Sequence, residues 1–121
     1  MDLQVVELDN GTALEGAPGA PLMRTAEEYT AVIGACFEQG ARAVLLYAAN
    51  LPDRFFDLRS GDAGVILQKF RQYRIRLVVV AAPNGPPLSP HFHELLIDER
   101  RGNDFALVPD RVAAVAWLQR S

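Results

Sequence analysis

Residues 75–82 read IRLVVVAA and are closed by Pro83. The run is β-branched, apolar and too short for a helix, and it leaves no polar face for water. It therefore predicts a central strand covered on both sides. A second run of the same kind, AVLLY at 43–47, ends at Asn50, Leu51 and Pro52 and predicts a neighbouring strand. Between the two, Ala63, Ile66, Leu67 and Phe70 recur at helical spacing, with Gln68, Lys69, Arg71 and Gln72 mostly on the other side. Upstream, Thr25 and Glu28 have capping-box spacing, Ala26, Tyr29, Val32, Ile33 and Phe37 form the inward stripe of a helix, and Gly40 stops it. Before that helix, residues 3–8 (LQVVEL) end at the turn signal Asp9-Asn10-Gly11, which predicts a hairpin with residues 12–14. Residues 15–22 (EGAPGAPL) predict a loop. Downstream of Pro83, NGPP at 84–87 is a second loop. Ser89 caps a helix that opens on Pro90 and carries Phe92, Leu95 and Leu96 towards Gly102. Residues 105–108 predict a last strand, and Asp110 caps a final helix with Ala114, Val115 and Leu118 inward.

Strand and helix periods thus alternate from end to end. The expected architecture is a single α/β domain over residues 1–121, with an N-terminal hairpin, a mainly parallel sheet of four to five strands and four helices. A chain of 121 residues with 50% hydrophobic and 22% charged content can bury one core without staples. Twelve Lys and Arg against 15 Asp and Glu leave a net charge of -3, which weighs against nucleic acid or an anionic membrane surface as a partner. The single cysteine, Cys36, excludes an intrachain disulfide and a cysteine-built zinc site, and fits a reducing compartment. Residues 1–10 (MDLQVVELDN) lack the basic and apolar regions of a signal peptide. Apolar runs such as 77–82 are far below the roughly 20 residues of a membrane span, so a soluble cytoplasmic protein is expected.

In sheets of this kind ligands sit beyond the carboxyl ends of the strands. Here those ends lead into residues 48–62 and 82–93. Ser60-Gly61 at a helix start is explained first by capping. It also offers exposed amides, flanked by small residues up to Gly64, to an oxygen or anion, with Arg59 in favour and Asp57 and Asp62 opposed. Phe55 and Phe56, adjacent in a loop, escape any helical or strand period. One is expected to plug the core and the other to floor a cleft, faced by Asn84, Ser89 and His91. His91 and His93 diverge by about 200° on a helix, so no metal site is expected. A set of Ser60 or Ser89 with His91 and Asp57 lacks a nucleophile-elbow sequence, and no glycine-rich fingerprint marks a nucleotide, so no cofactor is expected. Cys36 lies on an apolar helix face and reads as an inert buried thiol, and Lys69, Arg71, Arg74 and Arg76 read as a solvated charged face. Trp117 falls outside the inward stripe of the last helix and is a candidate homodimer surface.

The block FFDLRSGDAGVILQKFRQYRIRLVVV at 55–80 resembles the signature of an uncharacterised bacterial family, domain-of-unknown-function family 4180. The shared features are a phenylalanine pair, an Asp-Leu, a Ser-Gly step, an Ala-Gly pair and Leu-Gln-Lys-Phe. Ser89, Asp98, Glu99, Arg101, Gly102 and Asn103 extend the resemblance. Val65 stands where that family usually has a glutamate, and Ala81-Ala82 where it has a more polar ending. The element order, and residues 57–67 in particular, also look like the sulfate-transporter and anti-sigma-factor-antagonist (STAS) domain. That likeness implies a STAS-like fold and a phosphorylatable serine at the position of Ser60, although the spacing from Asp57 is one residue longer than in the STAS step. The resulting expectation is a small regulatory or ligand-responsive domain, not an enzyme, that recognises a protein partner or small anion at the helix following Ser60. The alternative is an enzyme or accessory factor acting on a small anionic molecule between residues 53–62 and 84–93.

Overall fold

The computed structural model describes residues 3–17, 22, 25–51, 62–81 and 104–119. Its strands are β1 (Leu3–Leu8), β2 (Gly11–Gly16), β3 (Ala43–Tyr47), β4 (Arg76–Val80) and β5 (Phe105–Val108), in one sheet of order β1-β2-β3-β4-β5. The described helices are α1 (Ala26–Gln39), α2 (Asp62–Gln72) and α3 (Arg111–Gln119), with a 3-10 turn at Ala48–Asn50. The expected mixed α/β class holds, with three helices among the described residues; the helix expected after Ser89 falls outside them.

β1 and β2 pair antiparallel about Asp9-Asn10, while β2 to β5 run parallel in sequential order. The two apolar runs do form the middle of the sheet. In β3 and β4, Val44, Leu46, Leu77 and Val79 face a core shared with Val32, Ile33 and Cys36 of α1 and Ile66, Leu67 and Phe70 of α2. Ala43, Leu45 and Val78 face the other side, where Ala114 and Leu118 of α3 cover them. This two-sided cover is why neither run alternates with polar residues. α1 and α2 share one face because right-handed crossovers between sequentially ordered parallel strands return on the same side.

Helix ends follow local chemistry. The Thr25 hydroxyl accepts from the Glu28 amide at 3.2 Å, Gly40 closes α1 with φ 67, and the Asp110 carboxylate accepts from the Ala113 amide at 2.8 Å. The last turn of α3 has no basic residue of its own, so distant donors satisfy it. Asn10 Nδ2 and Arg76 Nη1 donate to the Leu118 carbonyl at 3.0 and 2.9 Å, and Arg76 Nη2 donates to the Trp117 carbonyl at 3.0 Å.

Four expectations need correction. β2 runs on through Glu15 and Gly16, which the Pro/Gly-rich composition assigned to a loop, because both residues pair with β1 and Glu15 also pairs with β3. Phe37, expected inward, is 62% exposed, because it lies at the end of α1 beside Tyr73 rather than over the sheet. Trp117, placed outside the inward stripe of the last helix, packs half-buried against the second core, with the Arg76 guanidinium 4.3 Å from its ring centre. The basic cluster is not one solvated face: Lys69 donates to Thr30, Arg71 pairs with Asp104, and Arg76 is held under α3.

Candidate functional site

The carboxyl ends of β2, β3, β4 and β5 lie along one edge of the sheet, at Gly16, Tyr47, Val80 and Val108. Tyr47 pairs with Val80, so the segments that follow β3 and β4 start from adjoining strand ends. Of the residues singled out in the sequence, Phe55, Phe56, Asp57, Arg59, Ser60, Gly61, Asn84, Ser89 and His91 lie outside the described residues. Asp62 is described as the first residue of α2. The helix expected after Ser60-Gly61 is therefore present from Asp62 among the described residues.

The described part of this edge contains a cluster that sequence reasoning missed. Glu15, near the end of β2, accepts from Arg111 at both carboxylate oxygens: Nε to Oε2 at 2.9 Å and Nη2 to Oε1 at 3.0 Å. The Tyr47 hydroxyl donates to the same Oε2. Burial pushes the Glu15 carboxyl up, but the hydrogen bonds from Arg111 and Tyr47 and the arginine charge outweigh it and hold the pKa below its ordinary value. Tyr47 moves the opposite way: burial and the adjacent carboxylate raise its phenol to about 12. The glutamate is thus fixed as an anion and the tyrosine as a neutral donor at physiological pH. The pair works as a latch that fastens the start of α3 to β2. Arg111 sits in the first turn of α3, where the helix dipole disfavours a cation, and Glu15 supplies the offsetting charge.

Beneath the latch, Asn50 is fully buried. Its Oδ1 accepts from the Tyr47 amide at 2.7 Å, and its Nδ2 donates to the Ala17 carbonyl at 2.8 Å. Gly16 is required beside it, since a Cβ there would stand 2.5 Å from Asn50 Oδ1 and 3.0 Å from Leu46. The latch members are 32 and 96 residues apart, so no local period joins them. The available signal was an acid and a tyrosine at the ends of neighbouring strands, together with an arginine just after a helix cap.

Among the described residues no group of three or more His, Cys, Asp and Glu is placed to hold a metal ion. Cys36 is buried, and desolvation pushes its thiol up to about 11, so it stays a protonated packing group. No described helix is long and apolar enough to cross a membrane.

A family model described as "Domain of unknown function (DUF4180)" matches residues 9–118. No curated protein and no solved structure matches the chain.

Proposed function

The chain belongs to the DUF4180 family, and we propose that it is a small cytoplasmic regulatory domain of STAS-like arrangement. In this reading it recognises a protein partner or small anion at the carboxyl edge of its sheet, where α2 begins after Ser60. The observation that carries this reading is the parallel, in-register pairing of β3 with β4 up to Tyr47 and Val80, followed by the opening of α2 at Asp62. It places the ends of β3 and β4 side by side at one edge, the usual ligand position of an open α/β sheet. The latch itself is no proton-transfer pair near neutrality, because its carboxylate is held low and its phenol high, and it supports the edge as a fixed scaffold.

The test is affinity capture with the purified chain from native cytoplasm, with mass spectrometry of both proteins and small molecules, run beside Ser60→Asp. The variant is expected to lose the captured species while its stability changes by less than about 1 kcal/mol, because charge at a helix start is supported by the first-turn amides and opposed by Asp57 and Asp62. A Ser60→Asp chain that unfolds, or that retains every captured species, removes the proposal. Turnover of a captured metabolite transfers the edge to an enzyme.

A further inference from the structure

At the opposite edge, where the parallel strands begin, α1 and α2 end in the same way. The amides of Gly40 and Ala41 donate to the Phe37 and Cys36 carbonyls at 3.3 and 2.8 Å. Those of Arg74 and Ile75 donate to the Arg71 and Phe70 carbonyls at 3.0 and 2.9 Å. Each is a Schellman closure, which needs one residue in the left-handed region. Gly40 takes it in α1 with φ 67, and Arg74 takes it in α2 with φ 57, the one non-glycine residue with positive φ among the described residues.

The two closures bring Phe37 and Tyr73 together edge to face, 5.6 Å between ring centres, with 62% and 46% of their surfaces exposed. Beside them opens a cleft of about 440 Å³, walled by Cys36, Ala41 and Ile75 together with Arg42 and Arg74. A second cleft of about 340 Å³ shares Gly40 and Arg42 with it and adds Arg76. Among the described residues no acidic side chain lines either. Lys69, Arg71, Arg76 and Arg111 are each engaged by Thr30, Asp104, the α3 carbonyls or Glu15. Arg42 and Arg74 are exposed, and neither side chain has a hydrogen-bonding or ionic partner among the described residues. The two described cations left without partners therefore line one cleft, on a chain whose net charge is -3.

We infer that this cleft docks an acidic segment of a protein partner, which seats an apolar side chain against Phe37 and Tyr73 and directs carboxylates to Arg42 and Arg74. Aromatic rings and arginine are the side chains that anchor protein interfaces, and a guanidinium matches a carboxylate in shape and charge. A second copy whose two-fold axis passes through the cleft is disfavoured, because that symmetry would set the two cationic clefts against each other. An extended phosphate backbone would meet the acidic remainder of the surface, whereas a short acidic segment engages the local cations alone. This surface lies at the opposite end of the strands from the edge of the proposed function and does not depend on that edge's role.

The experiment is selection of a random displayed peptide library on the full chain, with titration of the best synthetic peptide. Selected peptides are expected to place Asp and Glu around a Leu, Phe or Trp. Affinity should fall about tenfold in Phe37→Ala or Tyr73→Ala, the loss of one interface anchor. It should fall further in Arg42→Glu/Arg74→Glu, and that double variant should select Lys- and Arg-rich peptides instead. Arg74→Gly should raise the melting temperature while weakening the peptide, a combination that impaired folding cannot produce. The inference is overturned by selected peptides without acidic residues or insensitive to Phe37→Ala, by no enrichment over the charge-reversed chain, or by a single-stranded RNA oligonucleotide that binds with the same sensitivity. A dimer in light scattering that Arg42→Glu dissolves also overturns it, assigning the cleft to a second copy.

Discussion

The two edges of the sheet are made from the ends of the same parallel strands, yet they dispose of charge in opposite ways. At the carboxyl edge, Arg111, Glu15 and Tyr47 close on one another over a fully buried Asn50. At the amino edge, Arg42 and Arg74 stand exposed beside two exposed aromatic rings. Neighbouring strand ends with complementary side chains satisfy one another and stiffen the fold. Helix ends with like charges cannot, and they leave a surface with unused donors. The difference turns on residues far apart in sequence, because the strand register, not the local pattern, decides which side chains meet.

The sharpest way to test this contrast is to add one methyl group at each edge. Gly16→Ala would drive a Cβ to 2.5 Å from Asn50 Oδ1, whose carbonyl and amide ends are both committed to backbone groups. A shift there breaks a buried hydrogen bond or strains β2, and an equilibrium denaturation should show a loss of about 2–3 kcal/mol. Gly40→Ala meets nothing within 4 Å and carries only the strain of its φ of 67, so about 1 kcal/mol is expected. Equal losses at the two positions would mean that the carboxyl edge is not the tighter one.

The latch should also be visible in pH. The Glu15 carboxyl is held below its ordinary value of 4.5 in the folded chain, so its contribution is present above the unfolded pKa and is lost as pH falls through the folded one. Glu15→Gln should therefore cost about 1 kcal/mol at neutral pH, a modest figure because Arg111 stays 51% exposed, and the gap to the parent should close on acidification. Tyr47, raised from 10.0 to about 12, holds its proton where the unfolded chain has begun to lose it, so stability should decline across that alkaline interval. Tyr47→Phe should shrink the alkaline decline to the part that the buried Cys36 thiol supplies, and should weaken but not abolish the acid limb, since Arg111 still holds Glu15. Thermal melts across pH separate the two, and a gap for Glu15→Gln that is constant with pH would show that the carboxylate is not in the latch.

Much of this framework was legible in the chain. IRLVVVAA and AVLLY read as doubly covered strands, Asp9-Asn10-Gly11 as a hairpin turn, and Thr25, Gly40 and Asp110 as helix boundaries, because each signal acts within a few residues of itself. The extension of β2 through Glu15 and Gly16 was not, since strand pairing on both sides overrides a composition that favours a loop. The exposure of Phe37 was hidden as well, because a helical stripe does not show where the covering sheet stops. The latch joins residues 15, 47 and 111, which only the register brings together. The site residues named at 55–61 and 84–91 lie outside the described residues, and the proposal for them rests on the described strand ends at Tyr47 and Val80.

The smallest effect probes the amino edge, and its sign matters more than its size. An arginine in the left-handed region suffers contact between its Cβ and the following carbonyl, whereas glycine does not. Arg74 occupies that region with φ 57, in the same closure that α1 completes with Gly40. Removing the Cβ relieves the strain. Against this, glycine has more freedom to lose on folding, and the charge of Arg74 near the α2 C-terminus favours the helix dipole. Strain of about 1–2 kcal/mol exceeds these opposing terms, so Arg74→Gly should stabilise the chain by about 0.5–1 kcal/mol in denaturant titration. Arg74→Ala, which keeps the Cβ and drops the charge, should gain nothing. If both variants destabilise equally, the guanidinium contributes to folding, and the contrast between a self-satisfied edge and an open one fails at its most direct point. If glycine alone stabilises, the arginine stands at this turn at a cost to stability, and its unpartnered charge on the cleft is the difference left to explain it.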